Sequence, residues 1–231
     1  RASMRLAVQA GSIDESGSQR GYAHFLEHMG FNGGAHFKPG ELVKYLESIG
    51  SSFGADLNAY TSYDETVYML ETPTDKPGLV SRGLDAMWDF AGGMTLSQDE
   101  VERERGVVIE EWRQRRGAGA RIREQQAPAI YGTSKYAERD PIGLPMMLKA
   151  ATAGSIRAFY EKWYRPDRMA LIVVGDVDVD VLEQQIVAVF STLKKKAGPP
   201  PARVYPIPPH KAARYSVVAD AETPRSSITI F

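Results

Sequence analysis

Apolar and polar positions alternate from Met4 to Ala10, the period of a half-buried strand, and a polar Gly/Ser loop follows over residues 11–19. Residues 21–31 have helical spacing and run into Asn32-Gly33-Gly34, a strong helix stop. Pro39 opens a second helix over 41–49, with Leu42, Val43, Tyr45, Leu46 and Ile49 on its apolar side and Gly50 ending it. Residues 53–59 and 66–71 read as two strands joined by the polar turn Thr61-Ser62-Tyr63-Asp64. Pro77 starts a helix to about Phe90. Ser97 with Glu100 three residues on has the pattern of a capping box, and a long helix to about Arg116 is expected after it. Residues 117–153 carry several Gly and Pro breaks and only short helical pieces near Met146. A helix over 155–164, a buried strand over 169–174 and a helix over 179–193 complete this part. Three lysines then lead into six prolines between Pro199 and Pro209, the composition of a semi-rigid linker. Two more strands are expected at 215–218 and 227–231. The pattern predicts one α+β domain over residues 1–197, a linker over 198–209 and the start of a second domain over 210–231. The chain opens inside a strand pattern, so the first domain reads as cut at its N-terminus.

Composition narrows the function classes. The 231 residues are 43% hydrophobic and 25% charged, ordinary values for a globular protein with a sizeable core. Lys plus Arg total 28 against 29 acids, which argues against a nucleic-acid binder held by a basic field. Absence of cysteine excludes disulfides, a thiolate metal site and a cysteine nucleophile. The longest apolar run, Met169 to Val174, is far too short to span a membrane.

One segment carries chemistry. His24 and His28 flank Glu27 in His24-Phe25-Leu26-Glu27-His28. Four residues apart on a helix means about 40° apart around the axis and one turn along, so one cation can bridge both imidazoles. Glu27 lies on the same side and suits a partner for metal-bound water. Zinc takes imidazole nitrogens and a carboxylate, and a catalytic site keeps one position open. A third ligand must come from elsewhere. His36 sits in a glycine-bounded loop and His210 in the linker, so a carboxylate is the remaining choice. The 97–116 helix offers Glu100, Glu102, Glu104, Glu110 and Glu111 beside an apolar stripe of Val101, Val108 and Trp112, with Val107 alongside. Glu104 and Glu111, two turns apart, flank Val107 and Val108 and point inward. Glu100, Glu102 and Glu110 read as solvated charges. Glu111 is therefore the candidate ligand, and Glu104 the group that orients a histidine or the water.

This His-x-x-Glu-His pattern, inverted relative to the commoner zincin motif, resembles the M16 family of zinc peptidases, which includes insulin-degrading enzyme, pitrilysin and the mitochondrial processing peptidase. Leu57-Asn58-Ala59-Tyr60-Thr61-Ser62 and Glu65-Thr66-Val67-Tyr68 are similar to that family's strand beside the active site. The segment from Glu102 to Glu111 resembles the one in which a glutamate binds zinc. The bacterial PqqL-like branch is the most similar. The span from His28 to Glu111 is several residues longer than usual, with an insertion expected around His36 to Pro39. The resemblance implies a LuxS/M16-type domain, with an antiparallel-rich sheet flanked by helices. It implies Zn2+ held by His24, His28 and Glu111, Glu27 as general base, and Glu104 as an auxiliary catalytic residue. It implies a peptide substrate paired along Asn58, Ala59 and Tyr60. It further implies a clam-shell whose second half contributes Arg and Tyr residues to the reaction, so this stretch alone is expected to bind zinc but cleave peptides poorly. By analogy with bacterial members, the location is periplasmic.

Three competing readings are weaker. Gly50-Ser51-Ser52-Phe53-Gly54 satisfies the serine-hydrolase elbow G-x-S-x-G, but that elbow needs a strand before it and a helix after it, and here the order is reversed. A non-catalytic structural or substrate-presenting subunit of the same family is a second reading, disfavoured by the complete set of candidate ligands. Arg113, Arg115, Arg116, Arg121 and Arg123 form a basic cluster with interleaved acids, the pattern of a solvated or interdomain face rather than a nucleic-acid site.

Overall fold

The computed structural model describes residues 1–230. In chain order the elements are β1 (Ala2–Val8), α1 (Tyr22–Met29), α2 (Glu41–Ser48), β2 (Leu57–Thr61), β3 (Thr66–Thr72), α3 (Leu79–Trp88), α4 (Gln98–Gln114), α5 (Ala118–Tyr131), α6 (Pro145–Ala150), α7 (Ala153–Trp163), β4 (Met169–Gly175) and α8 (Val179–Phe190). β1 buries alternate residues, Ala2, Met4, Leu6 and Val8, as its period-two pattern requires. It lies inside a four-stranded sheet of order β2-β3-β1-β4 in which every pairing is antiparallel. Leu6 stands between Tyr68 of β3 and Leu171 of β4. The fold is thus α+β.

Helices cover the sheet and close the core. Phe25 and Leu26 of α1, Phe159 of α7 and Phe90 just beyond α3 are fully buried. Tyr68 stacks on Phe90 with ring centres 4.5 Å apart and shares a hydrogen bond with the Tyr164 hydroxyl at 2.9 Å. α3 approaches β1 closely because Gly83 has no Cβ; one there would sit 2.9 Å from the Met4 sulfur. α4 starts as expected: the Ser97 side chain accepts from the Glu100 amide. The capping box is only half made, since the Glu100 carboxylate is buried and pairs with Arg103 at 2.6 Å. Glu100 is therefore not the solvated charge its position suggested.

Several expectations need correction. The first strand of the hairpin begins at Leu57 rather than Phe53, which makes only an isolated bridge to Leu57. β4 is not a buried strand but a sheet edge, with Ile172 50% and Val174 66% exposed. A continuous apolar run shows that a strand is apolar, not that both of its sides are covered. Residues 118–131, read as broken, form the fourteen-residue helix α5, with Pro128 in its last turn and no buried residue. Neither tail strand forms: 215–218 and 227–230 lie outside the sheet, and Tyr215, Val217, Ile228 and Ile230 are almost wholly exposed. The last residue of that second expected strand, Phe231, lies outside the described residues. The proline tract lacks regular structure but is tied back to the domain by Arg203, which pairs with Asp14 at 2.8 Å.

Candidate metal centre

α1 is a short helix buried along almost its whole length; only His28 is half-exposed. Its N-cap, Gly21, adopts a left-handed conformation (φ 103°) and has no side chain to satisfy the first amides. A distant residue does so instead. The fully buried carboxylate of Glu15 accepts hydrogen bonds from the Gly21 and Ala23 amides at 3.0 and 2.8 Å. Burial pushes the Glu15 carboxyl up to about 8.

The helical spacing brings His24 and His28 together, with ring centres 4.7 Å apart at 79°. From α4, Glu111 places one carboxylate oxygen 3.4 Å from His24 Nε2 and 3.1 Å from His28 Nε2. One ligand atom from each residue lies within 4.8 Å of the other two. Glu104, two turns earlier on α4, pairs with the other face of His28, at 2.8 Å from Nδ1. Its second oxygen accepts from Asn32 Nδ2 at 2.7 Å. Glu27 lies beside this cluster, buried, with its carboxylate accepting from the Thr61 hydroxyl at 2.5 Å.

The electrostatics show what the cluster wants. Burial, helped by the neighbouring His28, pushes His24 down to about 4, so its ring is neutral. Burial also opposes charge on His28, but hydrogen bonds to Glu104 and Glu111 overrule it and raise the ring to about 9. The bond from His28 is the main cause holding Glu111 down at about 2. Glu104 resists burial in the same way, kept below the usual carboxylate range by His28 and Asn32. Burial raises Glu27 above its ordinary value. Without a metal ion, a proton on His28 lies between Glu104 and Glu111, and Arg115 adds a second positive charge at the far oxygen of Glu111. Two imidazole nitrogens and one carboxylate oxygen, converging from two helices, fit a zinc ion that keeps an open position, with Arg115 held on the far oxygen of Glu111. The buried Nδ1 of His24 has no hydrogen-bond partner.

The remaining candidates lie apart from the cluster. His36 pairs with Asp89 at 2.8 Å, and His210 bonds the Ala212 carbonyl. Glu102 and Glu110 pair with Arg105 and Arg113 on the exposed face of α4. Asn58 closes its own turn, bonding the Gly54 carbonyl and the Ala59 amide. Tyr60 is tied to Glu65 at 2.8 Å. Asn58, Ala59 and Tyr60 lie on β2, an edge strand whose Thr61 end meets Glu27. Sequence reasoning missed Asn32, Glu15 and Arg115, which pairs with the far oxygen of Glu111. Asn32 had a signal, but as part of a helix stop it read as punctuation.

Comparisons with known proteins identify the family. Residues 1–131 match the family model for insulinase (peptidase family M16), and residues 150–231 match that for the peptidase M16 inactive domain. A protein of Arabidopsis thaliana described as zinc protease PQQL-like is 38% identical over 231 residues, 100% of this chain and 24% of that protein. The probable zinc protease PqqL of Escherichia coli is 33% identical over 98% of this chain and 24% of its own length. The chain thus spans about a quarter of these curated relatives. Among solved structures, the first half of the periplasmic protease PqqL from Escherichia coli has a TM-score of 0.84 at 35% identity, covering 90% of this chain and 44% of that one. A mutant of the ferredoxin protease FusC in complex with Arabidopsis ferredoxin has a TM-score of 0.82 at 33% identity, covering 89% of this chain and 22% of that one.

Proposed function

This chain belongs to peptidase family M16, and from that premise we propose that it carries the metal-binding half of a zinc endopeptidase active site. His24, His28 and Glu111 hold Zn2+, Glu27 is the general base and Glu104 orients His28. The observation that carries this reading is the convergence of His24 Nε2, His28 Nε2 and one Glu111 oxygen, from two helices, beside a buried Glu27. Zinc held by these residues would supply Lewis-acid polarisation of the scissile carbonyl and of the attacking water. Glu27 would take a proton from the attacking water and return it to the leaving amine. Burial favours this by raising the Glu27 carboxyl toward working pH, while the Thr61 hydroxyl fixes which oxygen is free. Glu104 holds the His28 ring through Nδ1 and leaves Nε2 for the metal.

The substrate is a peptide or small protein segment, laid in extended form along the free edge of β2 at Asn58, Ala59 and Tyr60. The rest of the machinery comes from a second M16 half, on the same chain or on another, closing as a clam-shell. We divide this chain into a first domain at 1–197, a linker at 198–209 and the start of the next domain at 210–231. The E. coli relative is described as a periplasmic protease, and we place this protein's work there too. Among the described residues, no helix is long and apolar enough to cross a membrane. The intact ligand set favours this reading over that of a non-catalytic presenting subunit.

The test is metal analysis with activity. The chain should take up one zinc per molecule and lose it on Glu111→Ala, and a chelator should stop peptide cleavage by the full-length protein. Cleavage that survives both complete chelation and Glu111→Ala would sink the reading.

A further inference from the structure

The arginines that end α4 and follow it are not all neutralised. Arg113 pairs with Glu110, Arg116 with Glu124, and Arg121 with Asp220 and Glu222. Arg20 and Arg123 make no ion pair among the described residues, and the one carboxylate partner of Arg115 is Glu111 itself. Arg20, Arg115, Arg116 and Arg123 all line a single cavity of about 380 Å3 between α4 and α5. Tyr63 and Trp112 form part of its walls, and Arg116 lies over the Trp112 ring at 5.2 Å. Three acids also reach the cavity, and two of them are paired with arginines. Glu124 is paired with Arg116, Glu138 with the buried Arg139, and Asp140 accepts from the Ile142 amide. The balance leaves two guanidinium groups, Arg20 and Arg123, against the one carboxylate of Asp140, an excess of positive charge beside aromatic walls that displace water and strengthen any ion pair formed there.

The cavity also adjoins the reaction centre. Arg115 touches the candidate ligand Glu111, and Tyr63 stands two residues past Thr61, which holds Glu27. A peptide running along β2 and continuing past Thr61 delivers its next side chains to this opening. We propose that this cavity is a specificity subsite that takes an acidic side chain, Asp or Glu, of the peptide substrate. The carboxylate is received by the forks of Arg20 and Arg123, with Arg115 at the boundary to the metal centre. The assignment rests on the peptidase reading above and adds the class of substrate.

The test uses peptides blocked at both ends, so that a side chain is the only anion. They are identical except for one Glu, Gln or Lys walked through the positions around the cleavage site. With the zinc-loaded full-length protein, Glu should exceed Gln at one position by about tenfold in kcat/KM, an advantage that shrinks as salt is added. Arg123→Ala should remove that preference, and Arg123→Glu should turn it toward Lys. Equal cleavage of Glu and Gln peptides at every position overturns the subsite and leaves the peptidase reading standing. If no peptide is cleaved, the peptidase reading fails. The subsite is then judged by fluorescence anisotropy of labelled Glu and Gln peptides on the same protein, where equal affinities overturn it.

Discussion

Helices α4 and α5 border one cavity and are built on opposite principles. α4 sends Val101 and Val108 into the core and commits Glu104 and Glu111 to the two histidines of α1. α5 buries no residue and is held by ion pairs at its surface, the exposed Arg116–Glu124 and the half-buried Arg121–Asp220. Hydrogen bonds among buried polar groups fix a geometry to tenths of an ångström, because leaving any one unmade costs its full desolvation. Exposed ion pairs fix little. On the proposed reading, chemistry is lodged in the first region and adjustable recognition in the second.

The sharpest way to break that contrast is Glu27→Gln. In the full-length protein it should lower kcat by about 10³-fold or more while zinc content stays at the wild-type level, since Glu27 acts on the proton and not on the metal. Rate assays beside metal analysis check it. A variant that keeps its rate removes Glu27 from the chemistry and makes α1 a metal-holding helix only. Next in size is Glu104→Gln, or Asn32→Ala one bond further out. Each loosens the His28 ring, and zinc affinity should fall by about 10- to 100-fold, with Glu104→Gln the larger loss. Competition with a chromophoric chelator measures it. An unchanged affinity would mean that packing alone holds His28.

Protonation gives a third handle. Zinc needs neutral imidazoles, and His24, pushed down to about 4, already is. His28, raised to about 9, must release a proton, so zinc affinity should climb about tenfold per pH unit toward that value and then level off. Stability of the metal-free protein moves the other way. A folded pKa above the ordinary 6.5 adds stability that is complete below 6.5 and fades as pH rises through about 9. The melting-temperature gain from zinc should therefore widen across this window. A gain that narrows contradicts the charge assignment of the site.

The same contrast explains what could be read from sequence. His24, Glu27 and His28 were legible because helical spacing and ligand chemistry coincide in five residues, and Glu111 because an apolar stripe told which face of α4 turns inward. Asn32 was not, since its bond to Glu104 crosses 72 residues of sequence. Glu15, capping α1 from outside the helix, has no local signature either. α5 escaped because the periodicity that reveals helices comes from burial, and α5 has none. β4 was recognised as a strand, but its place at the sheet edge depends on which strands pair, which no local pattern states.

The smallest effect tests whether α5 is a separate, weaker unit. Gly119 lies within α5, and an added Cβ would meet only the end of the Arg123 side chain at 3.6 Å, an ordinary contact. Gly119→Ala should stabilise the helix by about 0.5–1 kcal/mol, through the smaller entropy of the unfolded chain. Gly106, in the exposed middle of α4 with nothing near its absent Cβ, is the matched control. If α5 opens independently of the core, Gly119→Ala slows amide exchange within 118–131 and leaves the global melting temperature nearly unmoved, whereas Gly106→Ala raises the melting temperature itself. If both substitutions raise it equally, α5 unfolds together with the core that carries the His24, His28 and Glu111 cluster, and the division between a fixed site and an adjustable wall is gone.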